Sequence, residues 1–112
     1  MKPNSIARKR LYILDGKNKS VQVFDFSEWS RWRSENDLIF RRTLMEESGV
    51  VITTRFRGVS EPGSGEPLPF VTRVAGMQQE RDNESYGART LDEALEQHER
   101  TLQKILQMLT RP

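Results

Sequence analysis

The chain has 112 residues, 35% of them hydrophobic and 30% charged, with a formal net charge of +2. That is enough for one domain spanning 1–112 with a thin core, one sheet covered by helices on one face. No cysteine and a single histidine exclude disulfides, thiolate zinc sites and any motif needing two histidines, such as H-E-x-x-H.

Residues 1–8 are expected to be a flexible start. The first twenty residues carry Lys2, Arg8, Lys9, Arg10, Lys17 and Lys19 against Asp15 alone, a local excess that attracts nucleic acid or an acidic partner. Leu11–Leu14 and Val21–Phe24 read as a first hairpin, with Asp15-Gly16 supplying the turn because glycine accepts positive φ. The stretch from Ile6 to Leu14 is too polar for the h-region of a secretory signal. No apolar run approaches the roughly 18 residues of a membrane span, so a cytoplasmic protein with no membrane partner is expected.

From Asp25 the period changes to that of a short helix ending near Asn36. Ser27 is one candidate cap, and Asp25 with Glu28 an alternative capping box. Trp29 and Trp32 are three apart and share a face, while Arg31 and Arg33 point elsewhere. The pair pins the helix to the sheet or forms a stacking platform. Leu38–Met45 reads as a third strand with Arg41 and Arg42 in its middle. Glu46-Glu47-Ser48-Gly49 makes a tight turn with Gly49 at φ > 0.

Val50–Val59 is the central strand. Val50, Ile52, Thr54 and Phe56 fall on one side, and Thr53, Arg55 and Arg57 on the other. After a loop at Ser60–Pro67, Leu68–Gly76 returns with Phe70, Thr72 and Val74 inward and Val71, Arg73 and Ala75 outward, starting near Pro69, which lacks a ladder donor. Arg55, Arg57 and Arg73 would cluster on the open face of this hairpin, where an anionic ligand would relieve their repulsion. Met77–Ser85 reads as a polar loop, and Tyr86–Arg89 as a short final strand. Thr90 opens the clearest helix, to Leu109, with a Thr90/Glu93 capping box. Its stripe is Leu91, Leu95, His98, Leu102, Ile105 and Leu109, flanked by Ala94 and Leu106.

His98 is the one side chain whose ordinary pKa lies near neutrality. Its place within the stripe fits a structural group bonded to a carbonyl or carboxylate; catalysis or ligand contact is the alternative. The glycines form no phosphate-cradling motif. No catalytic set, metal cluster or cofactor motif stands out, so the chain reads as non-enzymatic.

Several short runs carry a resemblance. They are Leu11-Tyr12-Ile13-Leu14-Asp15-Gly16, Glu28-Trp29-Ser30-Arg31-Trp32, Val51 to Gly58, Pro67 to Gly76, and Tyr86, Thr90, Asp92-Glu93-Ala94 and His98. Together they make the chain similar to a family of small proteins from tailed bacteriophages and prophages. Where that family reads S-T-V-F-L-G-L-D-H, this chain reads Thr53 to Glu61 and lacks the aspartate and histidine; Arg55 and Arg57 are its own. The resemblance implies phage origin, work in the host cytoplasm and a shared fold, with no activity to transfer.

The reading is therefore an α+β domain: an antiparallel or mixed sheet of four to six strands, a short helix after strand two and a long C-terminal helix on one face. The expected function is binding of a host or phage macromolecule without catalysis, for instance to inhibit a defence or regulatory system. A protein partner leads. A nucleotide or other anionic ligand on Arg55, Arg57, Arg73, Trp29, Trp32 and His98 is the alternative, and nucleic acid a further one. Homo-oligomers through the sheet or the last helix are compatible with the pattern.

Overall fold

The computed structural model describes residues 9–60, 68–76 and 85–110. The expected flexible start at 1–8 lies outside these residues, and so do 61–67 and 77–84 of the expected loops Ser60–Pro67 and Met77–Ser85; Ser60 and Ser85 themselves fall in strands, not loops. The elements run β1 (Arg10–Leu14), β2 (Ser20–Val23), α1 (Phe26–Glu35), β3 (Ile39–Met45), β4 (Val50–Phe56), β5 (Val59–Ser60), β6 (Phe70–Ala75), β7 (Ser85–Ala88) and α2 (Leu91–Thr110). The α+β class, the short helix after strand two and the long C-terminal helix on the sheet all stand. The strands divide into two antiparallel sheets, ordered β2-β1-β5 and β3-β4-β6-β7.

The division occurs at Gly58. The expected continuous strand from Val50 to Val59 stops at Phe56, because Gly58 adopts φ 74°. The chain turns there and continues as β5, which pairs with β1 in the other sheet, Leu11 opposite Val59. A positive φ costs any residue with a Cβ, and here the space is also taken. A Cβ on Gly58 would lie 2.6 Å from Arg33 Nη1 and 3.1 Å from the Tyr12 carbonyl oxygen.

Two local expectations change. In the first turn the left-handed residue is Asn18 (φ 60°), not Gly16. The Asp15 carboxylate accepts the N–H groups of Lys19 (2.9 Å) and Lys17 (2.7 Å). These bonds hold its pKa below the usual carboxylate value, and they shape a loop in which an asparagine tolerates the αL well. At α1 the cap is Asp25, whose side chain accepts from Ser27 N–H at 2.9 Å. Ser27 itself lies within the helix. Gly49 takes the expected positive φ, 75°, and Thr90 caps α2, accepting from Glu93 N–H at 3.1 Å.

The core has two centres. Leu14, Phe56, Phe70, Ala88 and Ala94 form one, with Tyr12, Trp32, Leu38, Phe40 and Leu91 against it. It therefore joins both sheets and both helices. Val50, Ile52, Val74 and Ile105 form the second, between the four-stranded sheet and the middle of α2. The buried line of α2 is Ala94, His98, Thr101 and Ile105. It is rotated from the expected stripe: Leu91, Leu95 and Leu102 sit at its border, and Leu109 is exposed.

A bulge in β3 completes the sheet. Ile39 faces Arg55 but Arg41 faces Thr54, so Phe40 is the extra residue. The bulge rephases the strand. Phe40 and Thr43, three apart, both reach the interior, and Arg42 stays out.

Candidate functional site

The buried face of the four-stranded sheet holds a polar chain under α2. Thr54 Oγ1 lies 2.6 Å from Thr72 Oγ1 and 2.8 Å from His98 Nδ1. His98 Nε2 lies 2.8 Å from Thr43 Oγ1. Both ring nitrogens are thus engaged by hydroxyls, not by the carbonyl or carboxylate that the sequence suggested. His98 and Thr54 are both 0% exposed. Burial first, then nearby Arg41, lowers the histidine pKa, while Glu99 works in the opposite sense. The imidazole, bonded at both ring nitrogens and out of contact with solvent, lies apart from the other candidate residues.

The surface feature lies at the Gly58 corner. A groove of about 940 Å³ runs between the three-stranded sheet, α1 and the end of β4. Leu11 stands opposite both Val23 and Val59, a row across three strands that lines it. Trp29, Phe24 and Phe26 also line it, with Lys9, Arg10, Arg33, Arg55 and Arg57, and no acidic residue is among the described lining residues. Phe24 is 88% exposed and Phe26 63%, far more than apolar burial alone would leave for side chains of this size.

Trp29 and Arg33 are positioned by backbone carbonyls. Trp29 Nε1 donates to the Gly58 carbonyl at 2.9 Å, and Tyr12 N–H donates to the same oxygen at 2.8 Å. Arg33 Nη1 donates to the Arg57 carbonyl at 2.7 Å, and its guanidinium stacks over the Trp29 ring, 4.9 Å from the centroid. Partial burial, and then the charge of neighbouring Arg55, lowers the Arg33 pKa. The groove thus brings like charges together around an aromatic surface, an arrangement that an anion stabilises.

Of the residues singled out in the sequence, Trp29, Arg55 and Arg57 meet in this groove. Trp32 does not: it packs edge-on against Phe56, ring centroids 5.7 Å apart, as part of the core. The two tryptophans thus pin α1 at two different places and do not form one platform. Arg73 lies on the open sheet face in the row beside Arg55. Sequence reasoning missed Arg33, which was placed away from the tryptophan face; the i, i+4 spacing of Trp29 and Arg33 is the signal that puts them together. It also passed over Phe24 and Phe26, which flank the Asp25 cap and belong to no periodic stripe.

Among the described residues no group of three His, Asp or Glu is placed to hold a metal ion, and no helix is long and apolar enough to cross a membrane. Comparison of the chain with protein-family models, with curated proteins and with solved structures gave no match. The groove and its chemistry therefore carry the functional argument.

Proposed function

We propose that this protein binds single-stranded nucleic acid in the cationic groove, without chemistry of its own. The observation that carries this reading is the lining: among the described residues, five Lys or Arg side chains are interleaved with three aromatics and no carboxylate. Single strands are held by two features together, a basic channel that tracks phosphates and aromatic faces on which bases stack. Exposed Phe24 and Phe26 beside Trp29 supply the second, and the arginines supply the first through forked contacts to phosphate. A pocket for a single nucleotide would enclose the base. Here Phe24 and Phe26 stand exposed beside the groove, which suits successive bases of a strand.

On this reading the protein is a small accessory factor of the phage type that its sequence resembles, acting in the host cytoplasm on nucleic acid instead of on a protein. The test is fluorescence anisotropy with a labelled oligothymidylate over a salt series. Affinity should fall with salt with a slope of about −0.7 per phosphate neutralised, so about −3.5 for five contacts. Changing Arg55 and Arg57 together to glutamine should reduce the slope by about 1.4. Changing Phe24 and Phe26 to alanine should weaken binding about tenfold or more with the slope unchanged. Equal affinity for polyglutamate of matched charge, or no response to the phenylalanine changes, would defeat the proposal.

A further inference from the structure

We infer that the bound strand is longer than the groove and leaves it over the open face of the four-stranded sheet, guided by Arg55, Arg42 and Arg73. This rests on the nucleic-acid reading and adds a second segment to the same site.

Arg55 belongs to both places. It lines the groove, and within β4 it lies on the face away from α2, opposite Ile39 on one side and Val71 on the other. Two residues back on that face is Thr53, with Arg42 opposite it on β3 and Arg73 opposite it on β6. All three arginines are exposed. The strands β3, β4, β6 and β7 contain four arginines and neither aspartate nor glutamate.

Neighbouring strands are about 4.8 Å apart, and two residues along a strand span about 7 Å. Arg42 and Arg73 therefore flank β4 about 10 Å apart, one short step beyond Arg55. Long guanidinium side chains at that spacing can reach neighbouring phosphates of one extended strand. The same face carries Leu44 opposite Val51, and Leu44 is 54% exposed. Aliphatic surface beside the cations gives bases somewhere to lie once they have passed the aromatic rim.

The experiment compares a short oligothymidylate of about four nucleotides with a long one of about twelve, within the range of single-strand site sizes. In the unmodified protein the long oligonucleotide should bind at least tenfold more tightly. Arg42→Gln with Arg73→Gln should remove that advantage and reduce the salt slope for the long strand by about 1.4, leaving the short strand unaffected. Arg42→Lys with Arg73→Lys should restore the slope. If the two lengths bind alike, or the glutamine variant binds the long strand as tightly as the unmodified protein, the extended path is wrong and the groove reading stands. If neither length binds the unmodified protein, the groove reading itself falls.

Discussion

Replacing His98 with alanine is expected to cost about 3–5 kcal/mol of stability, read from urea unfolding. The ring fills space between α2 and the sheet, and its two nitrogens engage Thr54 and Thr43. Removing it leaves a cavity and takes a partner from the Thr43 and Thr54 hydroxyls; Thr54 is 0% exposed and keeps Thr72 as a partner. A loss below about 1 kcal/mol would mean that the site collapses or fills with water at little cost. The same histidine makes stability depend on pH. Its folded pKa lies below the ordinary histidine value of 6.5, so the folded state resists the proton and the unfolded chain accepts it. The unfolded state then binds more protons, and stability rises with pH across that interval. The contribution is fully present above about pH 6.5 and is lost as pH falls toward the folded pKa. For one proton the slope cannot exceed about 1.4 kcal/mol per pH unit. His98→Gln, which keeps hydrogen-bonding atoms, should flatten the profile between about pH 7 and 5.5, where ordinary carboxylates are ionised. An unchanged profile would assign the dependence to other groups.

Gly58→Ala is expected to cost about 2–4 kcal/mol, well beyond an ordinary surface change. The φ of 74° is unfavourable for alanine. The added methyl would also meet a backbone carbonyl at 3.1 Å and a guanidinium nitrogen at 2.6 Å. The Arg33 side chain can move, but only by releasing the Arg57 carbonyl and the Trp29 ring that it covers. Trp29 fluorescence should therefore change in the folded state. Gly16→Ala is the control, since nothing lies within 4 Å of a Cβ there and its φ is not positive. Equal midpoints for the two variants would show that the corner tolerates a side chain.

How far the sequence carried the fold can be traced to particular residues. The alternation of Val50, Ile52, Thr54 and Phe56 against Thr53 and Arg55 was legible because it is a strict two-residue period, and the pairing of β4 with β6 follows it residue by residue. Both helices were legible from their caps and spacing. The break at Gly58 was not, because a glycine within an alternating run is compatible with a strand, a bulge or a corner. The bulge at Phe40 was not either, since Arg41 and Arg42 hide the phase of β3. Thr101 was missed because a threonine bonding back to Gln97 O within its own helix at 2.7 Å can be buried without an apolar side chain. For the site, arginines on the outer strand face were legible. Their meeting with Phe24, Phe26 and Arg33 depends on how α1 closes over the corner, a long-range fact that local spacing does not encode.

The crossing from β4 into β5 also sets an order of assembly. The ribbons β1–β2 and β3–β4 close over short connections. Leu11 and Val59, which complete the smaller sheet, are 48 positions apart. Closing a loop of that size is entropically costly before the contacts form. Contacts so distant in sequence slow a small domain's search. The Trp29 indole hydrogen bond to the Gly58 carbonyl lies at the same corner, and we expect it to form with that closure. In stopped-flow refolding, the tryptophan signal that Gly58→Ala perturbs should therefore arrive with the slowest phase, later than the far-ultraviolet signal of the hairpins. Ligand capacity would then mature after the hairpins, with the closure that completes the smaller sheet.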